Sequence, residues 1–394
     1  MDFNFDKMFK IMIFSFRINR SHPDIPRDKK WAMQFLAMHG AFSLMCILLI
    51  YNIVYHDLKN NDFTQACSNG ILCLIYGVVT FKYCIMLSFQ SLLRDMFEKI
   101  KNDFRLATEI PAHEQNILQK YAQKGKVVTK LWFWLFFGTA VVFPIKTIVA
   151  MSYYAISGAF KYVHIYDLTY PSQIEEVKNE LEPYIVLNIF FLFYAMYAMF
   201  MYIGFAPMGP IFILHACGQL EVVKNRVLGV FSGLQFNSGK SMSKLKDVVV
   251  QLQKIYSFVD DIEKVFGIVY ELTLKAGAVI IPITAHQVIQ SFHNGQISIE
   301  FITIVFAAIA LCSIPCYFSD LLVEMGENVR LAIYSCGWEK NWDKGTRSVL
   351  MILLVRAARP FAIRTMFRRV CLDALTDLFH QSYAIFNLLN ATRN

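Results

Sequence analysis

Residues 31–55 read WAMQFLAMHGAFSLMCILLIYNIVY, a stretch in which Gln34 and His39 are the main interruptions of an apolar run. A helix needs about 20 predominantly apolar residues to cross the hydrocarbon core of a bilayer. The stretch is longer, and starts later in the chain, than the apolar part of a signal peptide. It therefore predicts a membrane-spanning helix that the protein keeps.

The composition of the whole chain indicates that lipid is its solvent. Hydrophobic residues make up 56% of the 394 residues and charged residues 17%, which is more apolar surface than one water-soluble core hides. Further apolar stretches long enough to span lie at 63–89, 131–156, 183 to about 219, 265–290 and 301–319, with a weaker one at 372–389. The sequence thus predicts an all-α membrane protein with seven transmembrane helices.

The basic residues are biased to one side of this membrane. Of the 38 Lys and Arg, 31 fall in the segments 1–30, 89–130, 221–264 and 321–372. Only Lys59, Lys161, Lys178 and Arg393 fall in the opposite segments. Since cytoplasmic loops carry the excess of Lys and Arg, we expect a cytoplasmic N-terminus and an extracellular C-terminus. This orientation is the reverse of that of a G-protein-coupled receptor.

Two of the predicted cytoplasmic segments carry apolar helix faces. In 244–264, apolar residues such as Leu245, Val248 and Leu252 recur at three- and four-residue spacing,. Residues 348–355 (SVLMILLV) are apolar all round but too short to span,, so they predict a buried helix. These faces need partners, which predicts a cytoplasmic helical anchor bundle within one subunit or between subunits.

The expected organisation has four parts. Residues 1–30 form a cytoplasmic N-terminal segment, and 31–320 hold transmembrane helices one to six. Residues 321–365 are expected to form the cytoplasmic anchor helices, and 366–394 a seventh helix with a short extracellular tail.

Charged residues within the spans need an explanation, because a charge in the bilayer core is costly. Glu271 and Lys275 have the i, i+4 spacing of an intrahelical pair,. Lys82 is near enough to the inner boundary for its side chain to extend to the interface. Neither observation requires a functional role.

Lys146 is harder to explain, because it lies in the outer half of the third span. It either faces an internal cavity or pairs with an outer-loop carboxylate such as Glu180 or Glu182.

The last span carries a polar stripe, in which Asp373, Asp377, His380 and Gln381 recur every three or four residues on one helix face,. Lipid penalises such a stripe, so it faces protein or water. A carboxylate-lined cation path is one solution. The other is pairing with the basic run just upstream, which we favour for Asp373 more than for Asp377.

No catalytic constellation appears in the sequence. It holds no nucleophile elbow, HExxH motif, phosphate-cradling glycine loop or paired Cys and His spacing,. We therefore expect neither an enzyme nor a cofactor or metal site. The basic residues follow the membrane topology and form no single stripe, which argues against nucleic acid as a partner.

The end of the chain carries a series of motifs in a fixed order. They are Ala332-Ile333-Tyr334 followed by Trp338, the Arg359-Pro360 pair in a short apolar helix, and a last helix with Phe379 and Ser382-Tyr383. This series resembles the C-terminal signature of the insect odorant receptor family. The resemblance covers the whole chain in length and topology, and its motifs cover roughly the last seventy-five residues.

The resemblance implies a heterotetrameric, ligand-gated nonselective cation channel, in which an odorant-binding subunit assembles with a co-receptor subunit. The chain lacks the co-receptor's long insertion in the second cytoplasmic loop, so it resembles an odorant-binding subunit in the plasma membrane of an olfactory neuron dendrite. The expected ligand is a small hydrophobic volatile, and membrane lipid surrounds the helices. A gustatory receptor of the same superfamily and a seven-helix G-protein-coupled receptor remain the alternatives.

In the family, the odorant sits in the outer half of the bundle, between helices two, three, four and six. The residues at that depth are Tyr76, Val79, Thr80, Tyr83, Phe143, Lys146, Thr147, Ala150, Met151, Asn188, Phe191, Tyr194, Ala195, Tyr202, Phe301, Ile304 and Val305. By family position, the pore residues on the last helix are Asp377, Ser382, Ile385, Phe386, Leu389 and Asn390.

The charge bias predicts where each terminus is accessible. An epitope at the C-terminus should bind antibody on intact cells, whereas one at the N-terminus should bind only after permeabilisation. The reverse pattern would reject the resemblance and favour a G-protein-coupled receptor.

Overall fold

The computed structural model describes residues 4–158, 160–166, 168–170, 172–231, 238–293, 295, 297–340 and 343–391. The helices are α1 (Phe5–Met8), α2 (Lys10–Ile18), α3 (Lys29–Asn52), α4 (Phe63–Ser88), α5 (Gln90–Leu106), α6 (Ala112–Ile156), α7 (Ser172–Glu175), α8 (Leu181–Phe205), α9 (Met208–Leu228), α10 (Ser238–His293), α11 (Ile299–Ser335), α12 (Lys344–Ala357) and α13 (Leu372–Ala391). A π-helical turn (Ile53–Asp57) extends α3, and a 3-10 turn (Trp338–Lys340) follows α11. Residues 392–394 of the predicted tail lie outside the described part of the chain.

The prediction of an all-helical membrane protein is confirmed. In the described residues, six helical segments are long and apolar enough to cross a membrane: Lys29–Asp57, Phe63–Ser88, Ala112–Ile156, Leu181–Leu228, Ser241–His293 and Ile299–Ser335. Each contains one predicted span, and α13 corresponds to the seventh. The predicted span 183–219 is divided, because α8 ends at Phe205 and α9 begins at Met208.

Three helices are too long for a bilayer alone. α6 has 45 residues, α10 has 56 and α11 has 37. At a rise of about 1.5 Å per residue, even α11 is about 55 Å long, whereas the hydrocarbon core is about 30 Å thick. The parts of α6, α10 and α11 that exceed the bilayer thickness pack around α9. We call α9, α5, α12 and these extensions the lower bundle.

The amphipathic pattern at 244–264 is confirmed. Leu245, Val248 and Leu252 are buried, on a segment that forms one continuous helix, α10, with the span that follows it. The prediction for 348–355 was partly wrong. Leu350 is buried, but Ile352 is exposed, because α12 packs on α10 and α11 with one face only.

The Arg359-Pro360 pair was expected within a short apolar helix, and this was wrong. α12 ends at Ala357, since a proline disfavours the helical conformation of the residue before it.

Arg226 joins three helices of the lower bundle through an ion pair and a further hydrogen bond. The Arg226 guanidinium of α9 donates hydrogen bonds of 2.9 and 2.6 Å to the buried Glu114 carboxylate of α6, and a third of 2.8 Å to Gln251 of α10. Such bidentate pairs fix geometry as well as adding energy. The pair therefore sets how α6, α9 and α10 meet at this end.

The connection between α12 and α13 crosses α10 at Gly267. A Cβ at this position would lie 2.6 Å from the Arg364 carbonyl oxygen, and backbone does not yield as a flexible side chain does. Gly267→Ala should therefore destabilise the protein by about 1–3 kcal/mol, seen as a lower melting temperature in detergent. Gly77→Ala is the matched control, because nothing lies within 4 Å of its Cβ position. Equal melting temperatures for the two variants would contradict this close approach.

Candidate ligand-binding site

An apolar cavity of about 100 Å³ lies between α4, α6, α8, α10 and α11. Its lining residues are Leu72, Ile75, Phe136, Thr139, Ala140, Phe143, Tyr166, Tyr194, Ala195, Ala198, Met199, Tyr202, Ile280, Ile304, Ala307, Ala308 and Leu311.

Small side chains create this space. Ala195 and Ala198 are three residues apart on α8 and so share one helix face. Ala307 and Ala308 face them from α11, and Ala140 from α6. Because each side chain ends at Cβ, the larger residues around them hold the helices apart and leave a void.

Aromatic side chains form the walls of the cavity. The Phe136 ring stacks on the Tyr202 ring with a centroid separation of 4.7 Å. The Tyr194 hydroxyl donates a 2.8 Å hydrogen bond to the Leu72 carbonyl, which fixes that ring against α4. The walls are therefore apolar and ordered, as in most small-molecule sites.

Residues 160–166, which follow α6, roof the cavity. Tyr166 reaches into the lining and meets the Phe191 ring edge-on at 5.5 Å. Asn188 accepts a 3.0 Å hydrogen bond from the Ile165 amide, and Tyr184 donates one of 2.9 Å to the Val163 carbonyl. Burial raises the pKa of Tyr166, so its phenol stays protonated and remains a hydrogen-bond donor.

The cavity is small for a ligand. A void of about 150 Å³ is known to accept benzene, and this one is smaller. A larger molecule enters only when wall side chains move. Met199 is the most adaptable of them, because its unbranched thioether side chain has three rotatable bonds.

Five of the residues predicted to contact ligand line the cavity together: Phe143, Tyr194, Ala195, Tyr202 and Ile304. Phe191 is fully buried directly behind the roof residue Tyr166. The other predicted residues lie outside the lining, in three different environments.

Residues of α4 turn away from the cavity towards the N-terminal part of the chain. The Tyr76 hydroxyl lies 2.8 Å from the Ser43 hydroxyl of α3, and Thr80 lies 3.4 Å from His39. The Tyr83 hydroxyl donates to the Asn19 carbonyl. Val79 is buried between them.

A second group holds the roof. Thr147 donates a weak hydrogen bond of 3.4 Å to the His164 carbonyl, and Asn188 holds Ile165 as described. The Met151 sulfur accepts from the Tyr184 hydroxyl. These polar groups therefore shape the cavity from behind its lining.

The third group lies towards the outer surfaces of the bundle. Ala150 is half-buried one turn from Lys146, and Phe301 is half-buried near the start of α11. Val305 lines a separate apolar groove beside α13.

Lys146 was expected either to face a cavity or to pair with a carboxylate such as Glu180 or Glu182. It forms an ion pair, but with Glu300 at the start of α11. The Glu300 carboxylate is buried, whereas the Lys146 side chain is largely exposed. Lys146 thus has a structural partner. Sequence spacing could not predict this partner, because Glu300 is 154 residues away along the chain.

Lys82 was expected to extend its side chain to the membrane interface, and this was wrong. Its side chain is only 2% exposed, because its ammonium lies over the Tyr202 ring, 4.3 Å from the centroid. Glu271 and Lys275 do form the predicted pair, at 2.9 Å.

Most of the lining residues were not predicted from the sequence, among them most of the alanines, the roof residue Tyr166 and the α10 residue Ile280. The family resemblance placed the site between four helices and left α10 out. The spacing of Ala195, Ala198, Ala307 and Ala308 at similar depth was the signal that pointed to a void.

The polar stripe of α13 faces away from the body of this chain. Asp373, Asp377, His380 and Gln381 are all exposed, while Leu378 on the opposite face is buried. Asp377 pairs with Arg368 at 3.2 Å, so the preference for Asp373 as the partner of the basic run was wrong.

The predicted pore residues divide between this chain's body and its outer face. Ser382 and Phe386 line the groove that contains Val305. The Asn390 side-chain oxygen lies 2.9 Å from the His286 ring of α10. Ile385 and Leu389 are half-buried.

Comparison with known proteins gives consistent matches. A family model described as 7tm Odorant receptor matches residues 62–383. Odorant receptor 13a of Drosophila melanogaster is 23% identical over 195 residues, 46% of each chain. Odorant receptor 56a of the same fly is 29% identical over 76 residues, 19% of this chain and 18% of that protein. The chain therefore matches less than half the length of these curated relatives.

Solved structures match over the full length. The insect olfactory receptor OR5 from Machilis hrabei, in complex with eugenol, superposes with a TM-score of 0.76 at 13% identity, covering 98% of both chains. A second structure of that receptor gives 0.72 at 14% identity and covers 98% of this chain and 96% of that one. At such identities the likeness shows the fold alone.

The Lys146–Glu300 pair predicts coupled effects on stability. Lys146→Met leaves the buried Glu300 carboxylate unpaired and should lower the melting temperature. Glu300→Gln removes the charge that Lys146 balances, so the double variant should lose about 0.5–3 kcal/mol less than the two single losses together. Strictly additive losses would show that the pair does not stabilise the fold.

Proposed function

Because the chain belongs to the odorant receptor family, we propose that it is the odorant-binding subunit of a heteromeric, ligand-gated nonselective cation channel in insect olfactory sensory neurons. The observation that carries the proposal is the apolar cavity between five membrane helices. The family match favours an odorant receptor over a gustatory or G-protein-coupled receptor.

The chemistry of the cavity supports a small hydrophobic volatile as the ligand. Phe143, Tyr194, Ala195, Tyr202 and Ile304 are the predicted contact residues that share its lining. Dispersion and desolvation against such walls supply the binding energy. The solved relative in complex with eugenol holds a molecule of this general kind.

The last helix supports a conduction path. The exposed Asp373 carboxylate on α13 would attract cations if copies of this helix surrounded a common axis, whereas the neighbouring Asp377 is paired with Arg368. One helix cannot enclose a pore, so the proposal requires further subunits.

The lower bundle offers a surface for such subunits. Ile352 and Val355 of α12, and Tyr334 in the extension of α11, are exposed large side chains of the lower bundle. We assign this face to a co-receptor subunit in a heterotetramer. Because Lys and Arg are concentrated on the side of the lower bundle, we place this bundle in the cytoplasm. We place the receptor in the plasma membrane of the neuronal dendrite.

The proposal predicts fast cation currents. Cells that express the chain with a co-receptor should respond to an odorant panel, and cells that express the chain alone should not. Blocking G-protein signalling should leave the currents unchanged, because ligand binding and conduction occur in one complex. Responses that disappear with that block, without a direct current, would reject the channel mechanism.

A further inference from the structure

One charge is buried beside the cavity without a counter-ion. The Lys82 ammonium lies 4.3 Å from the centroid of the Tyr202 ring and 5.8 Å from that of Phe205. Across the described ranges of the chain, no carboxylate or carbonyl oxygen lies within hydrogen-bonding distance of it. A buried charge in a membrane helix is a functional hypothesis by default, because the aromatic contacts offset only part of its desolvation.

The position of Lys82 directs its ammonium towards the cavity. Ile75 lines the cavity about two turns earlier on the same helix,. Side chains of an α-helix lean towards its N-terminus, which for α4 is the direction of Ile75. The ring that Lys82 contacts belongs to Tyr202, itself a lining residue. Lys82 itself is outside the lining, and its ammonium lies against the Tyr202 ring, so it reaches a ligand when the Tyr202 side chain moves.

The chemistry of the ammonium determines what it accepts as a partner. It has three N–H donors and no acceptor, while the rest of the cavity is mainly hydrocarbon and ring surface. We propose that Lys82 is the polar anchor of the site, and that the ligand is an otherwise apolar molecule with one terminal acceptor oxygen, such as an alcohol, aldehyde or ketone. The oxygen accepts a hydrogen bond from Lys82, and the hydrocarbon part lies along the alanine face. This inference rests on the proposed function, since it takes the cavity as the odorant site.

A second lysine provides a matched control. Lys275 also lies in a membrane helix, but it pairs with Glu271 at 2.9 Å and its side chain is 62% exposed. It needs no ligand to satisfy it. Replacing Lys275 by Met should therefore leave ligand preference unchanged.

The experiment compares Lys82→Met with Lys275→Met in cells that express the co-receptor. Dose-response curves are recorded for octan-1-ol, octanal, octan-2-one and oct-1-ene and normalised to surface protein. The wild type should prefer the oxygenated compounds to the alkene. Lys82→Met should reduce that preference about 10- to 100-fold, the factor expected for a hydrogen bond to a charged group, and Lys275→Met should keep it. Lys82→Gln, which retains a neutral donor, should give a smaller reduction.

The outcomes separate this inference from the proposed function. If Lys82→Met and Lys82→Gln keep the wild-type preference, or weaken all four responses equally, Lys82 is not the anchor. If the wild type prefers the alkene, or responds to other odorants and to none of the oxygenated three, the inference is also rejected while the receptor function stands. If no odorant evokes a current, the proposed function fails. The same four compounds still test Lys82 by their stabilisation of the purified wild type and variants against heat.

Discussion

The whole structure depends on one constraint, that a backbone in hydrocarbon must satisfy its own hydrogen bonds. Helices meet this constraint segment by segment, and the chain applies it beyond the membrane as well. α6, α10 and α11 continue without interruption into the lower bundle, where water is available and side-chain pairs such as Arg226 with Glu114 set the contacts. Since the same helices enclose the cavity above, a shift of their axes at one end changes the other.

Sequence reasoning succeeded where the signal is local. Apolar runs predicted the spans, the spacing of Leu245, Val248 and Leu252 predicted a helix face, and Glu271 with Lys275 followed the i, i+4 rule,. It failed where an outcome depends on another part of the chain. Hydropathy marks where a span leaves the membrane but not where its helix ends, so the lengths of α6 and α10 were not predicted.

The cavity shows the same limit. Residues at the right depth could be chosen from the sequence, but the face that each presents depends on helix rotation, which tertiary packing sets. Tyr76 therefore contacts Ser43 on α3, whereas Tyr202, chosen by the same argument, lines the cavity. The roof was beyond prediction for a different reason. Tyr166 belongs to an irregular segment whose path is fixed by side chains of two helices, Asn188 of α8 and Thr147 of α6.

The helix left out of the predicted site joins the cavity to the last helix. Ile280 of α10 lines the cavity, while Gly277, one turn earlier, lies where a Cβ would come within 3.6 Å of Leu378 on α13. Further along, His286 contacts Asn390 at 2.9 Å. A ligand shifts a conformational equilibrium only through contacts that differ between the two states. Since the cavity is smaller than a typical ligand, binding of the proposed odorant would require its walls to move. α10 contacts both the cavity and α13, so it provides a direct physical route by which that movement reaches the polar stripe.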